Sequence, residues 1–90
     1  MIRNYEITVY GRVQGVGFRY SAVNIASKYG IKGTVRNLPG GAVQLEIEGS
    51  ESATNLMIEW CRQGPGTARV DRIDIFEGEA KGFDTFAVRY

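Results

Sequence analysis

The segment YEITVYGRVQGVGFRYSAVNIASKYG, residues 5–30, changes its residue pattern twice. Residues 5–10 alternate between polar and apolar positions and are rich in β-forming residues, which predicts a strand. A helical spacing then connects Phe18, Ala22, Ile25, Ala26 and Tyr29, and Gly30 follows as a natural helix stop. Residues 11–17 between the two patterns hold three glycines. The segment therefore predicts a strand, a glycine-rich loop and a helix in succession.

Two further strands follow this helix. Residues 31–37 and 42–48 are strand-like, and Leu38-Pro39-Gly40-Gly41 between them predicts a hairpin turn. Ser50 can then cap a second helix, which ends at residues 63–66 and whose predicted apolar face is Ala53, Leu56, Met57, Trp60 and Cys61.

The chain closes with strand-like runs at residues 69–76 and 86–90. The element order is β-α-β-β-α-β with a short fifth strand at the C-terminus. This order predicts an α+β, ferredoxin-like sandwich in which two helices pack on one face of a sheet.

Length and composition limit the classes of protein that fit. Ninety residues predict a single domain over 1–90, and 43% apolar with 23% charged residues is typical of a globular protein. The chain has no histidine and one cysteine, Cys61, which excludes histidine-dependent nucleophilic sites, histidine-containing zinc sites and a disulfide framework. No apolar run matches a membrane span and Met1–Asn4 does not open a signal peptide. We therefore expect a cytoplasmic monomer with no metal, no other cofactor and no membrane partner.

Charge is unevenly distributed along the chain. The net charge is +1, too balanced to hold long nucleic acid by charge alone. Residues 1–37, however, carry six cations against the single anion Glu6. If these cations surround one site, that site attracts anions. The alternative is an ordinary solvated surface, which we favour for Lys28, Lys32 and Arg36.

The loop Gly11-Arg12-Val13-Gln14-Gly15-Val16-Gly17-Phe18-Arg19 is the segment best suited to chemistry. Its glycines allow backbone N–H groups to converge at the positive end of the following helix. Arg19 falls in the first helical turn, where a guanidinium can grip phosphate oxygens in a bidentate manner. The loop fits neither the dinucleotide nor the Walker pattern. From these residues alone, an oxyanion cradle and a simple glycine-rich connector with a surface arginine are equally supported.

The same loop resembles a known family. It reproduces the acylphosphatase signature G-x-V-Q-G-V-x-F-R through Gly11, Val13, Gln14, Gly15, Val16, Phe18 and Arg19. Gly33, Val35, Asn37, Gly41 and Val43 resemble the second signature, and the likeness extends to Gly64, Pro65, Ala68, Val70, Phe86, Val88 and Tyr90. Departures from the usual pattern occur at Thr34, Gly40 and Gly66, away from Arg19 and Asn37.

This resemblance implies an enzyme that hydrolyses acyl phosphates to a carboxylate and orthophosphate without a metal. It implies that Arg19 and Asn37 are catalytic, with Asn37 orienting the attacking water. It implies that the phosphate is bound by the Arg19 side chain and by the backbone amides of Gln14, Gly15, Val16, Gly17, Phe18 and Arg19.

The residue types support one part of this picture independently. No His, Asp or Glu lies between Tyr10 and Asn37, so neither signature offers an acid or base that titrates near neutral pH. Such a site cannot easily protonate an alkoxide, but it can release a carboxylate, whose conjugate acid has a pKa of about 4. We therefore expect activated anhydrides to be substrates and ordinary phosphate esters to be poor ones.

Other interpretations remain for particular features. Without the resemblance, Asn37 is better explained as a turn residue before Leu38-Pro39. Cys61 is expected to be a buried core thiol because it falls on an apolar helix face. The element order is also that of RNA-binding RRM domains, but their aromatic residues lie on a central strand, whereas Phe18 starts a helix, so no nucleic-acid partner is expected. The main functional alternative is a non-catalytic phosphate-binding or regulatory module of the same fold.

Overall fold

A computed structural model describes all 90 residues. Two helices and five strands follow the predicted order: β1 Arg3–Arg12, α1 Phe18–Tyr29, β2 Lys32–Asn37, β3 Val43–Gly49, α2 Glu51–Gln63, β4 Arg69–Gly78 and β5 Phe86–Arg89. The bounds of α1 agree with the predicted helix, whereas β1 and β4 extend two residues beyond the predicted strands at one or both ends.

The five strands form one mixed sheet in the order β4-β1-β3-β2-β5. All neighbouring pairs are antiparallel except β2 and β5, which run parallel. Ile7 on β1 lies opposite Leu45 on β3, which in turn lies opposite Val35 on β2, and all three are fully buried. Because side chains alternate along a strand, these residues define one apolar face, which the two helices cover. The α+β, ferredoxin-like prediction is confirmed.

The opposite face of the sheet carries polar residues, and we call it the open face. Glu6 and Thr8 on β1 lie opposite Glu46 and Gln44 on β3. Next to them on β2 lie Thr34 and Arg36, which pair with the same two β3 residues.

The second helix begins as predicted, and four of its five predicted apolar residues lie in the core or pack against it. The Ser50 hydroxyl accepts a 3.2 Å hydrogen bond from the Ala53 N–H. Leu56, predicted to be in the core, is 49% exposed. The buried stripe runs instead through Thr54, Met57, Ile58 and Cys61.

Thr54 is a polar residue on the buried face of α2. Its hydroxyl donates to the carbonyl oxygens of Ser50 at 2.9 Å and Glu51 at 3.0 Å, so a polar side chain can be buried without an unpaired donor. The sequence pattern counted only apolar residues and therefore left Thr54 out of the buried face.

The connection from β4 to β5 crosses the sheet and is tied to one buried carboxylate. Glu48 is only 4% exposed. Its carboxylate accepts hydrogen bonds from the side chain of Asn4 at 2.8 Å and from the backbone N–H groups of Lys81, Gly82 (3.1 Å) and Phe83 (3.2 Å). Burial raises the pKa of Glu48, but these donors outweigh it and the net pKa is lowered. Glu48 thereby fixes the segment that leads into β5.

Candidate active site

A cleft of about 210 Å³ lies where the β1–α1 loop meets the ends of β2 and β5. Its walls combine residues from both signature segments with residues of the C-terminal strand. The lining residues are Val13, Gly15, Gly17, Phe18, Arg19, Tyr20, Asn37, Val88 and Tyr90. No Asp, Glu or His side chain is among them.

The backbone of the loop presents its N–H groups without internal partners. Gly15 and Gly17 have φ of 74° and 78°, a left-handed conformation that glycine adopts without strain. Gly17 is the N-cap of α1, and no side chain there accepts a hydrogen bond from the N–H groups of the first turn. The first backbone hydrogen bond of the helix runs from the Ser21 N–H to the Gly17 carbonyl oxygen. The N–H groups of residues 14–20 donate to no acceptor in the protein. Consecutive free N–H groups at a helix start form a site for an anion.

Two side-chain hydrogen bonds hold the loop in place. The Gln14 side-chain amide donates to the carbonyl oxygens of Leu38 and Ala42, each at 2.8 Å. On the other side, the Thr67 hydroxyl donates to the Val16 carbonyl oxygen at 2.7 Å. The loop is therefore fixed to the β2–β3 turn and to the segment that follows α2.

Phe18 anchors the loop in the core. Its side chain is 2% exposed, and its ring centroid lies 5.1 Å from that of Trp60, with the rings tilted by 53°. Phe18 can therefore offer a ligand its backbone N–H but not the face of its ring. The predicted core position of Phe18 is confirmed.

Arg19 has no anionic partner in the protein. No carboxylate lies within ion-pair distance of its guanidinium, and the side chain makes no hydrogen bond. Its Cζ lies 5.2 Å from the centroid of the Tyr90 ring, a cation–π contact. The contact restrains the arginine while leaving its N–H groups available.

Asn37 is the last residue of β2 and faces the cleft. Its backbone pairs with Val43 across the hairpin, and the turn at residues 38–42 comes after it. Its side-chain amide makes no hydrogen bond within the protein, although side chains that stabilise turns usually bond to nearby backbone. Of the predicted site residues, Gly15, Gly17, Phe18, Arg19 and Asn37 therefore line one cleft, whereas Gln14 and Val16 do not.

The structure also places at the cleft residues to which the sequence assigned no role in binding or catalysis. The ring of Tyr90 lies beside Arg19. Tyr20 and Val88 line the cleft as well. The contacts of the Gln14 side chain could not be read from sequence because they join residues 24 and 28 positions apart.

The single cysteine of the chain lies outside this cleft. Cys61 is completely buried in α2, and burial raises the pKa of its thiol to about 12. The core role predicted for Cys61 is confirmed. No three His, Cys, Asp or Glu side chains are grouped so that they could hold a metal ion. Neither helix is long and apolar enough to cross a membrane.

Comparison with known proteins agrees with this geometry. The family model for acylphosphatase matches residues 5–88. The chain belongs to the acylphosphatase family. An acylphosphatase of Thermococcus kodakarensis is 46% identical over 83 residues, covering 92% of this chain and 91% of the relative.

Two solved structures share the fold over the whole of this chain. The crystal structure of the Bacillus subtilis acylphosphatase superposes with a TM-score of 0.94 at 36% identity and covers 100% of both chains. Full-length HypF in its phosphate- and nucleotide-bound form matches with a TM-score of 0.89 at 32% identity, over 100% of this chain but 12% of that one. The predicted family and enzyme class, an acylphosphatase that hydrolyses acyl phosphates, are confirmed.

Proposed function

We propose that this acylphosphatase hydrolyses the carboxyl–phosphate bond of small acyl phosphates without a metal, in the cleft between the β1–α1 loop and Asn37. The observation that carries the proposal is that one cleft is lined by residues with partnerless N–H groups, Gly15 and residues 17–20, together with the unpaired Arg19 guanidinium and the unpaired Asn37 amide. Phosphoryl transfer requires mainly positioning and stabilisation of charge. These groups supply both.

The loop amides and Arg19 would hold the three phosphoryl oxygens. Each N–H group points positive charge at the site, and a guanidinium adds charge-assisted, bidentate hydrogen bonds. Because these donors are fixed by Gln14 and Thr67, little reorganisation is needed as charge shifts during the reaction.

Asn37 would orient the attacking water toward phosphorus through its side-chain amide. The water oxygen forms a bond to phosphorus as the bond from phosphorus to the carboxyl oxygen breaks. The carboxylate leaves with the electron pair of that bond. The proton of the water passes to the substrate's own phosphate or to solvent, since no lining side chain is a carboxylate or imidazole.

The nature of the leaving group sets the substrate class. A carboxylate, whose conjugate acid has a pKa of about 4, departs without protonation, whereas an alkoxide does not. The absence of a carboxylic acid or imidazole from the cleft lining therefore favours mixed anhydrides over phosphate monoesters.

The test is phosphate release from benzoyl phosphate and from para-nitrophenyl phosphate, each with excess EDTA. Fast hydrolysis of benzoyl phosphate alone is expected. Hydrolysis of both at similar rates, or loss of activity in EDTA, would contradict the proposal.

The alternative is a phosphate-binding or regulatory module. Saturable binding of inorganic phosphate without turnover of any acyl phosphate would favour it.

We also propose that residues 1–90 act as a single-domain cytoplasmic monomer. Sedimentation of the purified chain at micromolar concentration tests the monomer.

A further inference from the structure

Two arginines lie side by side on the open face, at the edge of the sheet next to the cleft. Arg36 on β2 and Arg89 on β5 are register partners in the parallel pair. Neighbouring strands are about 4.8 Å apart, so the two positively charged side chains leave the sheet as neighbours. Like charges at such positions destabilise a sheet unless something compensates them.

No carboxylate in the protein compensates this pair. The cations Arg3, Arg62, Arg69, Arg72 and Lys81 each form an ion pair. Arg36 and Arg89 form none. The Arg36 Nε donates instead to the Gln44 side-chain oxygen at 3.0 Å, which orients the guanidinium and leaves its two terminal nitrogens unbonded.

The pair lines a hollow that adjoins the cleft. This hollow, of about 420 Å³, is bounded by Glu6, Thr34, Arg36, Gln44, Glu46, Phe83, Arg89 and Tyr90. Tyr90 lines both the hollow and the cleft, so the two meet at this residue. Arg36 and Arg89 directly precede Asn37 and Tyr90 in the chain, so the pair lies at the same end of β2 and β5 as the cleft but on the opposite face of the sheet.

The positive and negative side chains of the hollow lie at different ends of it. Glu46 lies one row further along the sheet, opposite Thr34. Its carboxylate forms an ion pair with Lys81 Nζ at 2.6 Å and accepts a hydrogen bond from the Asn4 side-chain amide at 3.0 Å. Glu6 lies opposite Glu46, further from β5. The end of the hollow nearest the cleft is therefore positive, and the far end holds the carboxylates.

We propose that Arg36 and Arg89 form a second anion subsite that binds a negatively charged group on the acyl part of the substrate. The inference rests on the proposed function, because it takes the phosphoryl group to be held by the loop amides and Arg19. A substrate spanning the two sites carries its acyl phosphate in the cleft and a second carboxylate or phosphate on the open face, with its acyl chain passing Tyr90. The preferred substrate class is thus an acyl phosphate with an anionic acyl group.

The test compares two substrates that share a four-carbon acyl chain and differ in one terminal carboxylate. These are butyryl phosphate and succinyl phosphate, and the measured quantity is the ratio of their kcat/KM values. The wild-type protein is expected to favour succinyl phosphate. In the double variant Arg36→Gln, Arg89→Gln this ratio is expected to fall about tenfold or more, as for the loss of hydrogen bonds to a charged group.

A matched control separates a local subsite from the general field of the protein. Lys28 and Lys32 are also free of ion pairs but line neither the cleft nor the hollow. The double variant Lys28→Gln, Lys32→Gln removes the same net charge and is expected to keep the wild-type ratio. An equal fall in both double variants would overturn the subsite, because it would show only long-range attraction.

The outcomes also distinguish this inference from the proposed function. Turnover of butyryl phosphate with no preference for succinyl phosphate, or with a ratio unaffected by the arginine variant, contradicts the subsite and leaves the proposed function standing. Failure of the wild-type protein to hydrolyse either substrate contradicts both. Circular dichroism and thermal unfolding of each variant establish that it is folded, and the single variants Arg36→Gln and Arg89→Gln serve if the double variant is not.

Discussion

The side-chain amide of Gln14 donates a 2.8 Å hydrogen bond to the carbonyl oxygen of Leu38, which directly follows Asn37. A second 2.8 Å bond from the same amide reaches the Ala42 carbonyl oxygen at the other end of the turn. The loop with the free N–H groups and the strand end with Asn37 are therefore held in register by one side chain. Gln14 is a positioning residue in this arrangement.

Replacing Gln14 by Leu is expected to lower kcat more than it changes KM. Both carbonyl oxygens keep a backbone donor, Gly41 N–H for Leu38 and Leu38 N–H for Ala42, so the free energy of unfolding should fall by only about 1 kcal/mol per lost bond. Steady-state kinetics with benzoyl phosphate and urea unfolding measure the two effects. A loss of stability with kcat unchanged would show that Gln14 has only a structural role.

Replacing Arg19 by Gln is expected to reduce kcat/KM for acyl phosphates at least about a hundredfold. The lost bidentate donor is comparable with a lost oxyanion-hole donor, at about 3–4 kcal/mol. Arg12 provides the control, since it also lacks an ion pair but does not line the cleft. Arg12→Gln should have a small effect that disappears at high salt. Near-normal activity of Arg19→Gln would rule out the assigned site.

Replacing Asn37 by Asp is expected to change the dependence of kcat/KM on pH. The new carboxyl group has an ordinary pKa of about 3.9, and its ionised form would repel the phosphoryl oxygens. Activity of the variant should therefore decline, relative to the wild-type protein, as the pH rises through that titration. Coinciding pH profiles for the two proteins would indicate that Asn37 does not contact the reacting groups.

Replacing Glu48 by Gln is expected to lower the free energy of unfolding by about 2–3 kcal/mol at neutral pH, because hydrogen bonds to a buried charge are lost. The folded-state pKa of Glu48 lies below its ordinary value of 4.5. Its contribution to stability is thus complete above that ordinary value and is lost as the pH falls through the lower, folded-state pKa.

The wild-type protein should consequently lose stability in this acid range more steeply than Glu48→Gln. Chemical unfolding at a series of pH values provides the measurement. Glu79→Gln is the control, since Glu79 is exposed and makes no hydrogen bond or ion pair. Parallel stability curves for wild type and Glu48→Gln would refute the assigned role of the carboxylate.

Local patterns in the sequence predicted most of the fold. The helical spacing from Phe18 to Tyr29 and the Ser50 cap depend on neighbouring residues alone, and both are confirmed. The pattern was wrong at Leu56, which is exposed. It also missed Thr54, whose burial depends on side-chain hydrogen bonds to backbone carbonyls that an apolar pattern does not count.

Long-range contacts could not be predicted in the same way. Glu48 and Glu46 alternate on β3 like any solvated strand residues, and nothing local indicates that Glu48 binds the N–H groups of a segment more than 30 residues further on. The pairing of Arg36 with Arg89 likewise depends on the parallel arrangement of β2 and β5. The glycine-rich loop already indicated Arg19, and the family resemblance supported it and added Asn37, whereas the Tyr90 contact required the structure.

The central claim is that water attacks phosphorus in the cleft, with the carboxylate as leaving group and no metal involved. The most direct measurement is hydrolysis of benzoyl phosphate in ¹⁸O-labelled water with excess EDTA, followed by mass spectrometry of both products. We expect phosphate release far above the blank without enzyme, with the label in orthophosphate and none in benzoate. Release no faster than the blank, or label in benzoate, would contradict the claim.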